Sequence, residues 1–298
     1  VKVLDPDLVE KASTSFDAGF SGFDDNALSL AVVDSSNVYV TGTAYSGVNY
    51  EAVTFVKNLS AAGGGAGGAG GQPGGFRGLV GLASRVWAVQ HGLGVVRRYD
   101  MPAPPVSRTT AFAQELNAGN GISRPNAVAT DGGGNLWVSL STGPGAAANT
   151  RLARYGSNIG GAPGEVFPSS APLSSALFKD VRALAHQGGT GDLWAAQGSQ
   201  NPSIVRIARD GGSTLSNPTY SAGGASTFTT TSELSGAEAL AFDSANNLWV
   251  TNRSQGKVLR YANLGGGVIT QSTSQVFLTI PNPGAIAFDA SGNMYVGD

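Results

Sequence analysis

The residue types best suited to proton transfer are scarce in this 298-residue chain, which has two histidines and no cysteine. His91 follows the segment Trp87-Ala88-Val89-Gln90, whereas His186 follows Leu184-Ala185. General acid–base catalysis needs its groups within hydrogen-bonding reach of one another. The two histidines occupy different places in the surrounding strand pattern. We therefore predict that they do not converge on one site. The absence of cysteine also excludes disulfides and thiolate metal sites.

Three Asp–Asn pairs with identical spacing are the next candidates for chemistry, because oxygen-rich loops can bind calcium. None of them has the further carboxylates or the glutamate at position twelve that an EF-hand loop requires. Each pair also stands between two apolar segments, which is typical of a hairpin turn. We therefore predict turns rather than cation sites at these pairs, which are Asp131/Asn135, Asp243/Asn247 and Asp289/Asn293.

Four arginines recur at one position of a repeated pattern. They could form a surface for an anionic partner. Repetition favours the simpler interpretation, in which each aliphatic stem covers apolar surface inside the fold. These residues are Arg98, Arg154, Arg206 and Arg260.

The repeated pattern is clearest from Ala237 to Tyr261. A run of small and apolar residues leads through a polar turn to Leu248-Trp249-Val250, then through a second turn to Val258-Leu259-Arg260-Tyr261. Each run predicts a strand. The aromatic residue of the second strand recurs at intervals of 46 to 57 residues, at Tyr39, Trp87, Trp137, Trp194, Trp249 and Tyr295. About four strands in a period of roughly 40–50 residues is typical of a β-propeller. The sequence therefore predicts an all-β, six-bladed β-propeller.

The fourth strand of each blade is predicted around a phenylalanine, at Phe112, Phe167, Phe228 and Phe277. In the first blade its place is taken by a Gly-rich segment at 61–75, which we interpret as a loop. No segment predicts a convincing amphipathic helix, and Gln114 to Ala118 could form at most a turn.

The last blade has only two strands before the chain stops at Asp298. Residues 1–20 can supply the missing pair, with a third strand at Val1 to Leu4 and a fourth at Ser15-Phe16. Residues 1–298 would then form one propeller domain, closed so that no blade edge is left open in the ring. The alternative is that these strands complete the last blade of a neighbouring chain, which would link propellers into a fibre.

At this level the sequence resembles six-bladed propellers of the NHL-repeat and streptogramin-lyase-like group, which includes gluconolactonase-like proteins. The resemblance is carried by Pro125 to Val138, Ala237 to Asn252, Pro283 to Asp289 and Gly292 to Val296. It implies a ligand-binding face around the central channel, formed where innermost strands begin and second strands end. The candidate ligand-binding residues that it implies are Arg77, His91, Asn126, Arg182, Glu238 and Asn252, with Ser139, Gln197, Gly284 and Asp298 at equivalent places.

The resemblance also implies two metal-dependent chemistries. A streptogramin-lyase-like enzyme would have His and Glu near the channel with a divalent metal. The topology that the resemblance implies places His91 at the channel face and His186 towards the opposite end. Gluconolactonase-like relatives use Glu, Asn and Asp around a divalent cation such as calcium or magnesium, and Asn126 resembles their Asn. Glu238 and Asp298 could supply carboxylates, but the Glu-Gly motif is absent. We therefore assign no catalytic residue and no metal ligand, and we expect no cofactor.

Composition narrows the function classes. Charged residues make up 13% of the chain, the net charge is −2, and no basic block is present. Nucleic-acid binding through phosphate contacts is therefore not expected. No apolar run reaches membrane-spanning length. Polar loops rich in Gly, Ser, Thr and Asn favour a secreted or cell-surface protein of a bacterium or archaeon. The leading hypothesis is a non-enzymatic binding or structural module, whose partners are other copies, a surface glycan or a small ligand. The alternative is a metal-dependent lyase or lactonase.

Overall fold

The structure is a computed structural model. It describes the backbone of residues 2–4, 10–13, 26–34, 37–45, 50–58, 67–68, 76–82, 85–100, 113–141, 150–156, 165–167, 178–198, 202–216, 218–229 and 232–297. Side chains are described at 4, 80, 85–100, 113–141, 150–156, 178–198, 202–216, 218–221, 224–228, 233–270 and 273–297.

The described residues form strands joined by turns, so the all-β prediction is confirmed. In chain order, the first strands are β1 (Lys2–Leu4), β2 (Glu10–Ser13), β3 (Asn26–Asp34), β4 (Asn37–Tyr45), β5 (Tyr50–Asn58), β6 (Gly67–Gly68), β7 (Phe76–Leu82), β8 (Arg85–Gln90), β9 (Val95–Asp100) and β10 (Gln114–Leu116). They are followed by β11 (Pro125–Thr130), β12 (Leu136–Ser141), β13 (Thr150–Tyr155), β14 (Glu165–Phe167), β15 (Val181–His186), β16 (Leu193–Gln197) and β17 (Ser203–Arg209). The last are β18 (Tyr220–Thr229), β19 (Ala237–Phe242), β20 (Leu248–Asn252), β21 (Lys257–Asn263), β22 (Ile269–Thr279), β23 (Ala285–Phe288) and β24 (Met294–Gly297). Short 3₁₀ helices lie at Ala118–Asn120, Ser232–Leu234 and Arg253–Gln255.

These strands pair into antiparallel four-stranded sheets, which we number in chain order. Sheet 1 is β3 to β6, sheet 2 is β7 to β10, sheet 3 is β11 to β14, sheet 4 is β15 to β18, and sheet 5 is β19 to β22. Sheet 6 has the order β2-β1-β24-β23 and joins strands from both ends of the chain. The first strand of each sheet contacts the first strand of the next, and β23 contacts β3. The innermost strands therefore follow one another around a closed circuit.

The aromatic anchors explain how neighbouring sheets are held together. Trp137 and Trp194, on the second strands of sheets 3 and 4, are almost completely buried. Trp137 packs among apolar residues of sheet 4, and its ring meets Tyr220 edge-on with centroids 5.0 Å apart. Trp194 packs in the same way against sheet 5. Each of these anchors belongs to one sheet by its backbone and to the core of the next by its side chain.

A repeated bulge in the outer strands orients the predicted phenylalanines. Phe228 of β18 and Phe277 of β22 each lie where the pairing register shifts by one residue. A bulge re-aims the side chain of the extra residue. Phe277 consequently meets Trp249 with centroids 4.8 Å apart, and Phe228 meets Trp194 with centroids 5.1 Å apart.

Three strand predictions need correction. The segment 61–75 contains β6, whose Gly67 and Gly68 pair with Val56 and Phe55. A glycine strand has no side-chain pattern, so the sequence suggested only a loop. Gln114–Leu116 is the outer strand of sheet 2, not a turn. The second closing strand is Glu10–Ser13, while Ser15 and Phe16 lie outside the described residues, as does Phe112.

Candidate functional site

The candidate mouth residues lie at β-bulges in the innermost strands. Pairing skips Arg77 between Phe76 and Gly78, Arg182 between Val181 and Ala183, and Glu238 between Ala237 and Ala239. Asn126 lies within the same kind of register shift in β11. A bulge breaks the regular alternation of side chains, which separates these residues from the packed faces of their sheets. We call Arg77, Asn126, Arg182 and Glu238 the bulge ring. The side chain of Arg77 is outside the described residues.

The described side chains of the bulge ring join sheet 3 to sheet 4 and sheet 4 to sheet 5. The side-chain amide of Asn126 donates a 2.8 Å hydrogen bond to the carbonyl of Val181, which begins the inner strand of sheet 4. Arg182 donates from Nη1 to Oε1 of Glu238 in sheet 5, at 2.5 Å. The ring residues therefore hold neighbouring inner strands together at one end of the fold.

Arg182 lies between two carboxylates. Its Nε donates to Oδ2 of Asp180 at 3.0 Å, opposite its contact with Glu238. Burial works to lower the pKa of Arg182, but the charges of Glu238 and Asp180 outweigh it and raise that pKa. All three side chains keep between 20% and 28% of their surface exposed. The group is therefore a fixed, charged cluster that solvent or a ligand can reach.

The residues at the ends of the second strands have structural partners. Asn252 is buried and caps the 3₁₀ helix Arg253–Gln255, since its Oδ1 accepts from the backbone of Gln255 at 3.2 Å and from Ser254 Oγ at 3.1 Å. Its Nδ2 donates to the carbonyl of Glu233. Ser139 Oγ accepts from the amide of Ala127 at 2.8 Å.

The same holds for Gln197 at the end of β16, and Gly284, just before the inner strand β23, is hydrogen-bonded as well. Gln197 Oε1 accepts from the backbone of Lys179 at 2.7 Å. The amide of Gly284 donates to the carbonyl of Gly297 at 2.8 Å. Asp298 lies outside the described residues. The residues that end the second strands thus support the strand ends and loops beside the bulge ring.

The two histidines lie at different ends of the inner strands, as predicted. The carbonyl of Pro125, the first residue of β11, lies 2.9 Å from Nδ1 of His91. A carbonyl only accepts, so Nδ1 carries the proton in this contact. His186 is the last residue of β15, where burial lowers its pKa against the opposing charges of Asp131 and Asp192. His91 is thus a third group, beside Asn126 and Arg182, that joins one sheet to the next at the mouth.

Two residues beside the mouth were missed by the sequence analysis. Asp180 completes the Arg182 cluster, and its position directly before an inner strand could have indicated it. Gln90 pairs with Phe76 as Gln197 pairs with Val181, so Gln90 rather than His91 is the register equivalent of Gln197. The side chain of Gln90 is fully buried, and its amide has no hydrogen-bond partner among the residues that the structure describes.

The three Asp–Asn pairs form hairpin turns in which the Asp carboxylate accepts hydrogen bonds from the turn itself. This confirms their prediction as turns. Asp131 accepts from the amides of Gly133 and Asn135 and from Nε1 of Trp137, at 2.9 to 3.1 Å. Asp243 accepts from Nε1 of Trp249 at 2.8 Å, and Asp289 accepts from the hydroxyl of Tyr295 at 2.9 Å. Each carboxylate therefore joins its turn to the aromatic anchor.

Hydrogen bonding also controls the pKa of the Asp289 carboxyl group. Burial would raise the pKa of Asp289, but hydrogen bonds from Asn293, Tyr295 and Ser291 outweigh it and hold that pKa below 3.8.

The recurring arginines pack on the same anchors. The guanidinium carbons of Arg98, Arg154, Arg206 and Arg260 lie 5.8 to 6.0 Å from the ring centroids of Trp87, Trp137, Trp194 and Trp249. Each arginine is the cross-strand partner of its tryptophan. Cation–π contact with the anchor of the same sheet accounts for the repetition, and this contact was not part of the sequence prediction, which attributed the repetition to the aliphatic stems.

No three His, Cys, Asp or Glu side chains within the described ranges are grouped closely enough to hold a metal ion. No helix in the described part of the chain is long and apolar enough to cross a membrane.

Comparison with solved structures identifies the fold. Virginiamycin B lyase from Staphylococcus aureus superposes with a TM-score of 0.55 at 17% identity, over 91% of this chain and 77% of that one. A gluconolactonase from Xanthomonas campestris gives a TM-score of 0.57 at 12% identity, over 93% and 88% of the two chains. A chain of a nidogen–laminin complex gives 0.57 at 14% identity, over 90% and 82%.

The protein has the β-propeller fold of these structures. The predicted resemblance is therefore confirmed at the level of the fold. The structural neighbours include both enzymes and binding proteins, and at these identities they do not assign an activity. No protein-family model matches the sequence, and no curated protein is similar to it in sequence.

Proposed function

We infer that the chain is a non-enzymatic, six-bladed propeller that acts as a binding or structural module outside a bacterial or archaeal cell. The observation that carries this inference is the fastening at the channel mouth. His91, Asn126 and Arg182 each reach from their own sheet to a residue of the next. Side chains held in this way are positioned for structural support, whereas proton transfer needs groups directed at a reacting atom.

The composition supports the location. The chain has no cysteine and only 13% charged residues. Its loops are rich in small polar residues, a composition that suits a surface exposed outside the cell. Closure by a last blade built from both termini suits the same role, because it removes sheet edges from the ring.

The exposed part of the mouth supports a ligand-binding role. Asp180, Arg182 and Glu238 offer a fixed guanidinium between two carboxylates, all partly open to solvent. Hydroxyl-rich ligands such as surface glycans are recognised by such preorganised charged groups, because the hydrogen bonds form without reordering the protein.

The test is binding to a panel of microbial surface glycans by the wild-type chain, Arg182→Met and Arg85→Met. Arg85 is a matched control, since it is also paired with an aspartate but lies at the other end of the second strand. We expect binding that weakens at least about tenfold in Arg182→Met. Equal binding by both variants would show that the mouth is not the ligand site, and no binding at all would remove the glycan from the proposal.

The alternative is a metal-dependent lyase or lactonase, favoured by the presence of Asn126 and Glu238 on one ring of bulges. It predicts binding of calcium or magnesium that is lost in Glu238→Gln, together with turnover of a sugar lactone or a cyclic depsipeptide. Calorimetric titration and lactone hydrolysis by both proteins measure this directly. Cation binding that depends on Glu238, accompanied by turnover, would establish the alternative and overturn the non-enzymatic proposal.

Self-assembly by strand exchange is a variant of the structural role. In sheet 6, Lys2, Val3 and Leu4 pair with Val296, Tyr295 and Met294. The same register can form between chains, because β1 and β2 are joined covalently only to β3 and not to β24. Strand exchange of this kind is a low-cost route to assembly.

A cysteine pair tests where this sheet closes, since the chain has no other cysteine. The double variant Leu4→Cys/Met294→Cys is oxidised, and the product is analysed on a denaturing gel without reductant. Strand exchange predicts covalent oligomers, whereas closure within one chain gives a cross-linked monomer and refutes the variant.

A further inference from the structure

A groove of about 240 Å³ lies between sheets 4 and 5. Thr190, in the turn that follows β15, is at one end of it, so the groove lies at the end of the inner strands opposite the channel mouth. One wall is formed by side chains of sheet 4, which include Trp194, Arg206 and Phe228, and the other by residues 266–269 of sheet 5. An apolar cavity of about 150 Å³ already holds a benzene ring. The groove therefore has room for a small ring-shaped molecule.

The walls of this groove are fixed by hydrogen bonds between the two sheets. Nε2 of Gln187 donates to the carbonyl of Gly267 at 2.9 Å. The amide of Gly189 donates to Oδ1 of Asn246, also at 2.9 Å. Gly267 lies so close to Thr190 that an added Cβ would come within 2.2 Å of the threonine methyl group. The groove is therefore preformed, which lowers the entropy cost of binding a ligand in it.

Arg206 is more exposed in this groove than the equivalent arginine of sheet 3. Its side chain keeps 44% of its surface exposed, whereas Arg154 keeps 14%. The connection to the outer strand of the next sheet differs in the same way. Before β18 this connection spans residues 210–219, whereas before β22 it spans residues 264–268 and contains three successive glycines. The shorter connection has fewer side chains with which to cover the arginine, so the Arg206 guanidinium is accessible from the groove.

The guanidinium of Arg206 keeps donors that the protein does not use. Nε and Nη2 both contact Oδ2 of Asp192, at 2.8 and 2.6 Å. Oδ1 of Asp192 accepts from the amide of Arg209, so both oxygens of this carboxylate are engaged. Within the described part of the chain, Nη1 of Arg206 has no acceptor. Nη1 and the second hydrogen of Nη2 can therefore donate together to one further carboxylate.

We propose that this groove binds a small aromatic carboxylate, whose carboxylate is held by Arg206 and whose ring packs against Phe228 and Ile269. Among the described residues that line the groove, Arg206 is the only charged one, so the lining favours an anionic group at this point. Phe228, Val268 and Ile269 give the rest of the lining an apolar character that suits a ring, and an aromatic ring also pairs favourably with Phe228. This site is separate from the channel mouth and does not depend on the function proposed for the mouth.

Ligand-observed NMR titration with benzoate tests the proposal on the wild-type chain, Arg206→Met and Arg154→Met. Arg154 is a matched control, because it stacks on Trp137 as Arg206 stacks on Trp194 but is mostly covered. We expect saturable binding whose dissociation constant rises at least about tenfold in Arg206→Met and is unchanged in Arg154→Met. Thermal melting confirms that both variants are folded. Absence of saturable binding by the wild-type chain, or equal binding by the wild-type chain and Arg206→Met, would overturn the proposal.

Filling the groove gives a second test. Tyr220 and Ile269 pair with equivalent positions of the third strands, so Ile269→Tyr gives β22 the side chain that β18 has at this place. We expect the larger side chain to take up space in the groove and to abolish benzoate binding. Cyclohexanecarboxylate should bind the wild-type chain more weakly than benzoate, since it offers Phe228 no aromatic ring. Undiminished benzoate binding by a folded Ile269→Tyr chain would place the ligand elsewhere, and equal affinities for the two carboxylates would refute an aromatic site.

Discussion

At the scale of single residues, this propeller uses carboxylates to join turns to aromatic anchors. Asp131 accepts hydrogen bonds from two backbone amides, the Asn135 side chain and the indole of Trp137. The indole is fully buried, so its N–H has no access to water if the carboxylate is removed. A buried donor left without a partner costs more than an average hydrogen bond contributes.

We predict that Asp131→Ala lowers the free energy of unfolding by about 2–3 kcal/mol, because several hydrogen bonds are lost and a buried donor is left unpaired. Asp131→Asn keeps one acceptor oxygen and should cost roughly half as much. Urea denaturation of the three proteins measures both values. Equal effects of the two substitutions would show that charge, and not acceptor geometry, stabilises the turn.

His186 gives the fold a dependence on pH. Burial lowers its pKa from the ordinary 6.5, so the folded chain favours the neutral imidazole. Below pH 6.5 the unfolded chain binds the proton more readily, so stability is complete above that pH and declines as the pH falls towards the folded pKa. We predict that His186→Gln removes this decline and that His91→Gln retains it, as measured by urea denaturation at pH values from 7.5 to 5. An identical slope in both variants would assign the effect elsewhere.

At the scale of elements, neighbouring sheets are held together by residues that belong to both. Phe228 of β18 lies at a bulge and contacts Trp194 of its own sheet and Tyr261 of sheet 5, with centroids 5.1 and 5.6 Å apart. Ser226 and Thr227, which precede Phe228 in β18, are exposed. The bulge at Phe228 therefore directs its ring inwards. The outer strand therefore contributes to the core between sheets despite its position at the edge.

Phe228→Ala is expected to cost about 2–4 kcal/mol, because it opens a cavity between two sheets and removes two aromatic contacts. Thr227→Ala, one residue away on the exposed side, should change the unfolding free energy by less than about 0.5 kcal/mol. Thermal and urea denaturation of the pair measure the difference. A small effect of Phe228→Ala would mean that the bulge, not the ring, determines how these sheets pack.

At the scale of the whole molecule, sheet 6 makes the two ends of the chain interdependent. Leu4 is buried with Trp249, Ile286, Met294 and Val296, so β1 contributes to the core beside sheet 5 as well as to its own sheet. Without β1, the backbone of β24 loses its ladder on that side. An unpaired strand beside an open core favours aggregation.

We predict that deletion of residues 1–13 lowers the melting temperature and makes the chain aggregate, and that adding a synthetic peptide of residues 1–13 restores part of the lost stability. The physical reason is that the peptide can replace β1 and β2 by strand addition. Differential scanning calorimetry and light scattering with and without peptide measure both effects. Melting of the shortened chain at the temperature of the full chain would show that the closing strands are dispensable.

The sequence by itself determined the all-β architecture, the aromatic anchors and the turns. These features repeat at short range, and a strand, its turn and its anchor lie within about 15 residues of one another. The tertiary structure alone decided the partners at the mouth. Asn126 bonds to Val181 and Arg182 to Glu238, pairs separated by 55 and 56 residues. The tertiary structure also decided that β-bulges separate these side chains from the packed faces of their sheets, and that a Gly–Gly segment pairs as a strand. Such features depend on which strand lies next to the residue in the folded protein. A local sequence pattern does not contain this information, because the neighbouring strand is distant in the sequence.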